Sequence, residues 1–227
     1  MKIQDLVKNG YYGRGIAVGV KNGRIGYAYF VTGRSENSKN RLLVKKDAGL
    51  FTEPYDPALC VDPSLIIYRA TARLDGKIIV TNGDHTETAA ETIAAGGRFF
   101  DAMEKRVYEP DGPIFTPRIA ALIDEKTQKY LLAVLKKGAS DECDRAYFSY
   151  EPVDGAGRLV TTYAGEKEVR AFSGEPKLFE MPDDAESLAR AIWEGLEPAY
   201  RVGTYACYYD PKTGLEENFL LNAKGEI

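Results

Sequence analysis

Arginine, tyrosine, histidine and carboxylate side chains stand in four short polar clusters along this 227-residue chain. The stretch "TGRSENSKNR" (residues 32–41) sets Arg34, Lys39 and Arg41 among serines and asparagines, so cationic and neutral donors share one loop. Guanidinium forks of that kind grip phosphate or sugar oxygens; the plain alternative is a polar surface loop. In "LIIYRATAR", strand alternation predicts Tyr68, Ala70 and Ala72 on one face, with open space beside the tyrosine hydroxyl. A buried structural tyrosine is the competing outcome. The stretch "VTNGDHTETAAETI" (residues 80–93) holds the only histidine, His85, where an apolar strand hands over to a helix. Free amides at a helix start behind Gly83 suit an anion or a carbonyl oxygen, and Asn82 and His85 add side-chain contacts. Simple capping explains the same residues. Finally, "YEPDGPIFTPRIAAL" puts Glu109 and Asp111 between a helix and the strand that begins at Arg118. A carboxylate there serves either as a general acid or base beside arginines, or as part of an ordinary connector.

Several chemistries are excluded at this level. One histidine without nitrogen or sulfur partners builds no zinc site. The three cysteines, Cys60, Cys143 and Cys207, form no CxxC pair and suggest neither a metal site nor a disulfide framework. Position 2 is Lys2, so removal of the first methionine exposes no Cys, Ser or Thr nucleophile. A net charge of -4 argues against a general nucleic-acid binder, while leaving a small anionic ligand within reach of a few arginines. The opening stretch lacks the apolar core of a signal peptide, no run approaches membrane-spanning length, and free thiols fit a reducing compartment. A cytoplasmic protein without membrane or nucleic-acid partners is the expectation.

The elements that must hold these residues are mostly strands in hairpins. Asn22-Gly23 joins "GIAVGV" to "IGYAYFVTG", and Asp75-Gly76 joins "SLIIYRATA" to "KIIVTN". Further hairpins are expected for "RIAALID" with "KYLLAVLKK", "RAYFSYEPV" with "RLVTTYAG" across "DGAG", and "TYACYYD" with "ENFLLN". "SLIIY" and "YLLAVL" are apolar on both faces, which suits burial between layers. One helix is expected from Asp84, with Asp84-x-x-Glu87 and Thr88-x-x-Glu91 both matching a capping box. Its apolar positions are Ala89, Ile93, Phe100 and Met103, across a weakening Gly96-Gly97. A second helix covers "PDDAESLARAIWEGL", capped through Asp183, striped by Leu188, Ile192 and Leu196, and stopped by Pro198. The sum is an α+β fold with two mostly antiparallel sheets face to face and helices outside. No composition break divides the chain, so one domain over residues 1–227 is expected.

Taken in order, "YFVTGRSENSKNR", "IIYRATARLDGKIIVTNGDHTE", "TPRIAAL" and "GTYACYYDPKTGLEENFLLN" resemble the archaeal-type IMP cyclohydrolase family, which also has bacterial members. The resemblance implies a four-layer αββα sandwich like that of N-terminal-nucleophile hydrolases, working without the nucleophile. It implies closure of 5-formamidoimidazole-4-carboxamide ribotide (FAICAR) to inosine monophosphate (IMP) with loss of water, needing no cofactor and no metal. Arg34, Tyr68 and Glu109 fall at the family's catalytic arginine, tyrosine and glutamate. Arg41, Asn82, Gly83, His85, Thr116 and Arg118 are expected to position the ribotide, and the Ser35–Arg41 loop is longer than in archaeal members. A homo-oligomer is compatible with all of this. The competing reading is a purine-nucleotide-binding regulatory protein that kept the pocket and lost turnover; a different amide hydrolase and a ligand-free structural domain are more distant rivals.

Overall fold

Asn22 and Gly23 both take positive φ (53° and 72°), the conformation of a tight primed turn, and they join β1 (Arg14–Lys21) to β2 (Arg24–Thr32). Asp75 and Gly76 repeat this between β6 (Thr71–Leu74) and β7 (Lys77–Thr81). The other α-helices and strands are α1 (Ile3–Leu6), α2 (Glu36–Lys39), β3 (Leu42–Lys46), β4 (Gly49–Glu53), β5 (Tyr68–Arg69), α3 (His85–Ala94), α4 (Phe99–Glu104), β8 (Arg118–Asp124) and β9 (Tyr130–Lys137). They continue with β10 (Cys143–Tyr150), β11 (Ala156–Thr161), β12 (Lys177–Glu180), α5 (Ala185–Gly195), β13 (Arg201–Tyr209) and β14 (Glu216–Asn222). This computed structural model describes residues 1–60, 63, 66–165 and 168–225.

The fold is α+β. Its strands form a six-stranded sheet ordered β12-β11-β1-β2-β13-β14, a five-stranded sheet ordered β10-β9-β8-β7-β6, and a small sheet β3-β4-β5. Every ladder between these strands is antiparallel. Among the described residues no helix is long and apolar enough to cross a membrane.

Period-two alternation explains how the buried side chains divide. Along β2, Tyr27, Tyr29 and Val31 join a cluster with Val80, Ile119, Leu132 and Val134 of the five-stranded sheet. The intervening Ala28 and Phe30 join a second cluster with Leu188, Ala189 and Ile192 of α5. A third cluster sets Ile79, Ala120 and Ala133 against Ala89 of α3 and Phe99 and Met103 of α4. Both faces of β9 are used, Tyr130, Leu132 and Val134 on one side and Ala133 and Leu135 on the other.

Several expectations are corrected. "RAYFSYEPV" and "RLVTTYAG" do not pair: β10 pairs with β9, and β11 pairs with β1. Gly155 N donates to Val20 O (2.8 Å), so the "DGAG" turn docks on the six-stranded sheet and carries the chain across to it. There Leu159 and Val160 become fully buried, which a lone hairpin would not achieve. "SLIIY" is not a continuous strand. Ser64 and Leu65 lie outside the described residues, while Ile66 and Ile67 form a turn back to Pro63 O (3.1 and 2.8 Å). The helix expected from Asp84 is two helices, because Gly96 adopts φ +81° and ends the first. The restart at Phe99 changes the phase, so Phe99 is buried where Phe100 was expected. Neither capping box forms there. Asp84 makes no capping bond, and Thr88 lies inside α3. The second helix is capped one residue later than expected, Ser187 N donating to Asp184 Oδ1 at 2.7 Å.

Candidate active site

Glu109 lies in the irregular segment between α4 and β8, where backbone groups must find partners outside regular ladders. The segment closes on itself. Glu109 N donates to Thr116 O (2.9 Å), and Thr116 N donates to Asp111 Oδ1 (2.6 Å). The Thr116 hydroxyl also bonds the Asp111 carboxylate and shares a 2.7 Å contact with the Tyr163 hydroxyl. This fold-back buries the Glu109 carboxylate, whose Oε1 accepts from Arg14 Nη2 and, at 3.3 Å, from Asn82 Nδ2. Burial raises the Glu109 carboxyl above its usual range, with Arg14 opposing. Burial works against the charge on Arg14 too, yet Glu109 beside it holds that guanidinium well above its ordinary value. The two form a buried ion pair.

Tyr68 enters from the other side. Its backbone N donates to Thr52 Oγ1 (3.1 Å), and its hydroxyl meets that of Tyr29 at 2.6 Å. The expected shared face of Tyr68, Ala70 and Ala72 is not formed. The chain leaves the small sheet after Arg69 and joins the five-stranded one at Thr71, so Tyr68 and Ala70 sit between the large sheets while Ala72 packs toward α3 and α4. The tyrosine hydroxyl is thus met by a second phenol on β2. Burial pushes the Tyr29 hydroxyl well above its ordinary value, with Tyr68 adding to this and Arg14 and Arg41 opposing it.

The arginine-bearing loop is held by a short capped turn. Ser38 N donates to Ser35 Oγ (3.1 Å), and Ser35 N donates back to Ser38 Oγ (2.9 Å). Arg41 is buried, its Nε donating to Ser38 O at 2.8 Å. Arg34 is exposed and lies over the Tyr11 ring, 5.1 Å from its centroid. Tyr11 in turn stacks on Tyr163, with centroids 5.4 Å apart. Burial raises the Tyr11 hydroxyl while Arg14, Arg41 and Arg34 all draw it down.

The corner from Asn82 to His85 is fully committed to protein contacts. Asn82 Nδ2 also donates to Pro117 O (3.0 Å), and its Oδ1 accepts from Ile119 N (2.7 Å). His85 is fully buried with Nε2 3.1 Å from Ile119 O and Nδ1 3.2 Å from Arg118 Nη1. Nε2 donates and Nδ1 accepts in the tautomer these partners require. Burial, aided by the Arg118 charge, pushes the imidazole down to about 3, so it is neutral near pH 7. Arg118 also donates to Asp84 Oδ1 (2.8 Å) and Val107 O (2.9 Å), and Arg106 pairs with the same Asp84 carboxylate. Asp84 is thus an anchor for two arginines, which is why it is not a cap. A Cβ on Gly83 would lie 2.7 Å from Arg118 Nη1, so glycine is what lets Arg118 reach His85.

Arg14 is the common neighbour. It pairs with Glu109, and its charge acts on the hydroxyls of Tyr68, Tyr29 and Tyr163. Glu109 contacts this guanidinium and Tyr68 lies within reach of its charge, while Thr116 joins through Tyr163 and Arg34 through Tyr11. Arg118, His85 and Gly83 form the wall behind Asn82. Sequence reasoning missed Arg14, Tyr11, Tyr29 and Tyr163. The only signal for the first two was "GYYGRG", an aromatic pair and an arginine spaced by glycines at the start of β1. No group of three or more His, Cys, Asp or Glu side chains able to hold a metal occurs among the described residues.

A family model described as IMP cyclohydrolase-like protein matches residues 11–213. Over 187 residues the chain is 31% identical to the IMP cyclohydrolase of Methanothrix thermoacetophila, covering 81% of this chain and 85% of that one. Over 202 residues it is 35% identical to the IMP cyclohydrolase of Methanocella arvoryzae, covering 86% and 92%. It is also 34% identical over 127 residues to that of Methanocaldococcus jannaschii, covering 51% and 57%.

Proposed function

The chain belongs to the IMP cyclohydrolase-like family, and on that premise we propose that it closes FAICAR to IMP with loss of water, as one domain working in the cytosol. Three free cysteines suit that compartment. The stacking of α5, the two large sheets, and α3 with α4 is read as the four-layer αββα arrangement of the N-terminal-nucleophile hydrolases.

The substrate carries its own nucleophile, a carboxamide nitrogen, and its own electrophile, a formyl carbon. Holding them together supplies much of the acceleration, because the attack is intramolecular. In the proposed first step the N–C bond forms, Glu109 takes a proton from the attacking nitrogen, and Arg34 stabilises the charge growing on the formyl oxygen. In the second Tyr68 protonates that oxygen, and Glu109 returns its proton to it as the C–O bond breaks and water leaves. The formamido nitrogen passes its proton to the Tyr68 phenolate as the ring C=N bond forms. Arg41 binds the ribotide directly in this reading, and Thr116, its hydroxyl shared between Asp111 and Tyr163, shapes the site beside it. Asn82, Gly83, His85 and Arg118 act through the shape of the corner they build, since their polar atoms are engaged with protein.

One observation carries the proposal: the buried Glu109 carboxylate is paired with Arg14, whose charge also reaches the buried phenol of Tyr68, beside an arginine-bearing loop. That places an acid and a base within one electrostatic neighbourhood, as a dehydrating ring closure requires. The test is direct. Purified protein is incubated with FAICAR, and the absorbance change of IMP formation is followed. Turnover abolished in Glu109→Gln and reduced roughly a hundredfold in Arg34→Ala and Tyr68→Phe is the expected result. Binding of the ribotide with no turnover in the unmodified protein would overturn it.

A further inference from the structure

We propose that Arg14 is a positioning residue for Glu109, clamping one carboxylate oxygen so that the other receives the substrate proton and keeping the group ionised until it does. The inference rests on the reading of Glu109 as the base. It starts from an asymmetry in how the carboxylate is held. Arg14 Nη2 and Asn82 Nδ2 both donate to Oε1, and Oε2 has no hydrogen-bond donor among the described residues. Two donors on one oxygen fix the plane of the carboxylate and leave the second oxygen as the site of proton uptake.

Arg14 itself is held in an unusual way. It is 8% exposed, and its Nε is buried with no hydrogen-bond partner among the described residues. A buried guanidinium with a donor unspent is costly, and such a group in a native interior calls for a reason. A purely structural pair would be expected to satisfy both partners. Here Nε is left without a partner among the described residues, and the charge of the guanidinium reaches Tyr68, Tyr29 and Tyr163.

That placement links the two proton transfers. While Glu109 is ionised, its charge compensates Arg14. Once the carboxamide N–H proton has moved to Oε2, the carboxylic acid is neutral and the Arg14 charge stands uncovered beside the Tyr29–Tyr68 hydroxyl pair. That change of charge accompanies the transfer of the Tyr68 proton to the formyl oxygen in the proposed reaction. Glu109 is faced by Arg14 from β1, Asn82 from the corner after β7, Arg118 from β8, and Asp111 from its own segment. Of these, only Arg14 and Asn82 touch the carboxylate, and only Arg14 is a cation in contact.

The experiment compares Arg14→Met, Arg14→Lys and Glu109→Gln with the unmodified protein. It measures thermal melting, KM and kcat for FAICAR, and the pH dependence of kcat. Without the cation, a buried carboxylate takes its proton at higher pH, so the acid limb of the Arg14→Met profile should move upward by about one pH unit or more. Its kcat should fall roughly a hundredfold, with KM changed less than about threefold. Arg14→Lys keeps the charge but not the fork, so its acid limb should stay in place while kcat falls roughly tenfold. An acid limb unmoved in a folded Arg14→Met protein would overturn the proposal. If Arg14→Met does not fold, a limb in Arg14→Lys displaced as far as one pH unit would overturn it instead. Full turnover by Glu109→Gln would remove the base itself, a separate failure that leaves the limb comparison without effect on Glu109 and refutes both readings.

Discussion

The hydroxyls of Tyr29 and Tyr68 share a 2.6 Å hydrogen bond that joins β2 of the six-stranded sheet to β5 of the small sheet. Tyr29 has no other hydrogen-bond partner for its hydroxyl among the described residues, so the bond serves mainly to aim Tyr68. Tyr29→Phe keeps the ring in the core and removes only this partner. A neutral buried hydrogen bond contributes about 1 kcal/mol, so kcat should fall about fivefold with KM nearly unchanged. Tyr68→Phe should cost far more. Steady-state kinetics on both variants checks this, and equal losses in the two would mean that Tyr29 does more than aim its neighbour.

Gly83→Ala tests the corner that holds His85. The added Cβ would lie 2.7 Å from Arg118 Nη1 and 3.3 Å from His85 Nδ1. Arg118 cannot simply swing away, because its Nε is bonded to Val107 O and its Nη1 to Asp84. The expected outcome is a stability loss of about 2 kcal/mol, from buried polar groups left without partners, together with a raised KM. Melting temperature and KM are the measurements, and a variant unchanged in both would show that the corner has room to spare.

Gly96→Ala separates helix propensity from backbone conformation. Nothing lies within 4 Å of a Cβ at Gly96, so no side chain obstructs the change. Alanine favours helix over glycine, and a continuous helix from residue 85 to 104 would be stabilised by it. With φ at +81°, however, alanine should instead cost about 1 kcal/mol. Denaturant midpoints decide between the two signs.

What could be read in advance follows from the range of the interaction concerned. Asn22-Gly23 and Asp75-Gly76 announce their hairpins because the turn is decided by two residues that tolerate positive φ. The β3–β4 hairpin was missed because its turn, Asp47-Ala48, lacks that signature. The "DGAG" turn has the signature of a hairpin, yet crosses between sheets; a local turn carries no information about which sheet its second strand joins. The candidate site divides in the same way. Arg34, Tyr68 and Glu109 could be named singly, from polar clusters and a family resemblance. Arg14 could not, because its pairing with Glu109 spans 95 positions and is set by how β1 and the 109–116 segment pack. Asp84 was misread for a related reason. Its local pattern is that of a cap, and two distant arginines, Arg106 and Arg118, outcompete the helix amides for its carboxylate.

His85 should make stability depend on pH in a defined window. Its imidazole is pushed from an ordinary value of 6.5 down to about 3 by burial, with Arg118 and Arg106 adding to this and the Ile119 carbonyl and Asp84 opposing. The unfolded chain therefore binds a proton near pH 6.5 that the folded chain refuses until about pH 3. Stability from this group is fully present above pH 6.5 and is lost as pH falls, by about 1.4 kcal/mol per pH unit. Asp84, held below its ordinary value by Arg106 and Arg118 against the cost of burial, adds a second loss of the same sign only below about pH 4. His85→Gln retains a donor for Ile119 O and cannot titrate. It should be less stable at pH 7.5, because the contact from Arg118 is lost, but its stability should fall less steeply between pH 6.5 and 4.5. Urea midpoints at half-unit intervals measure the two slopes. Parallel slopes for the two proteins would mean that the buried imidazole takes up its proton as readily as an exposed one.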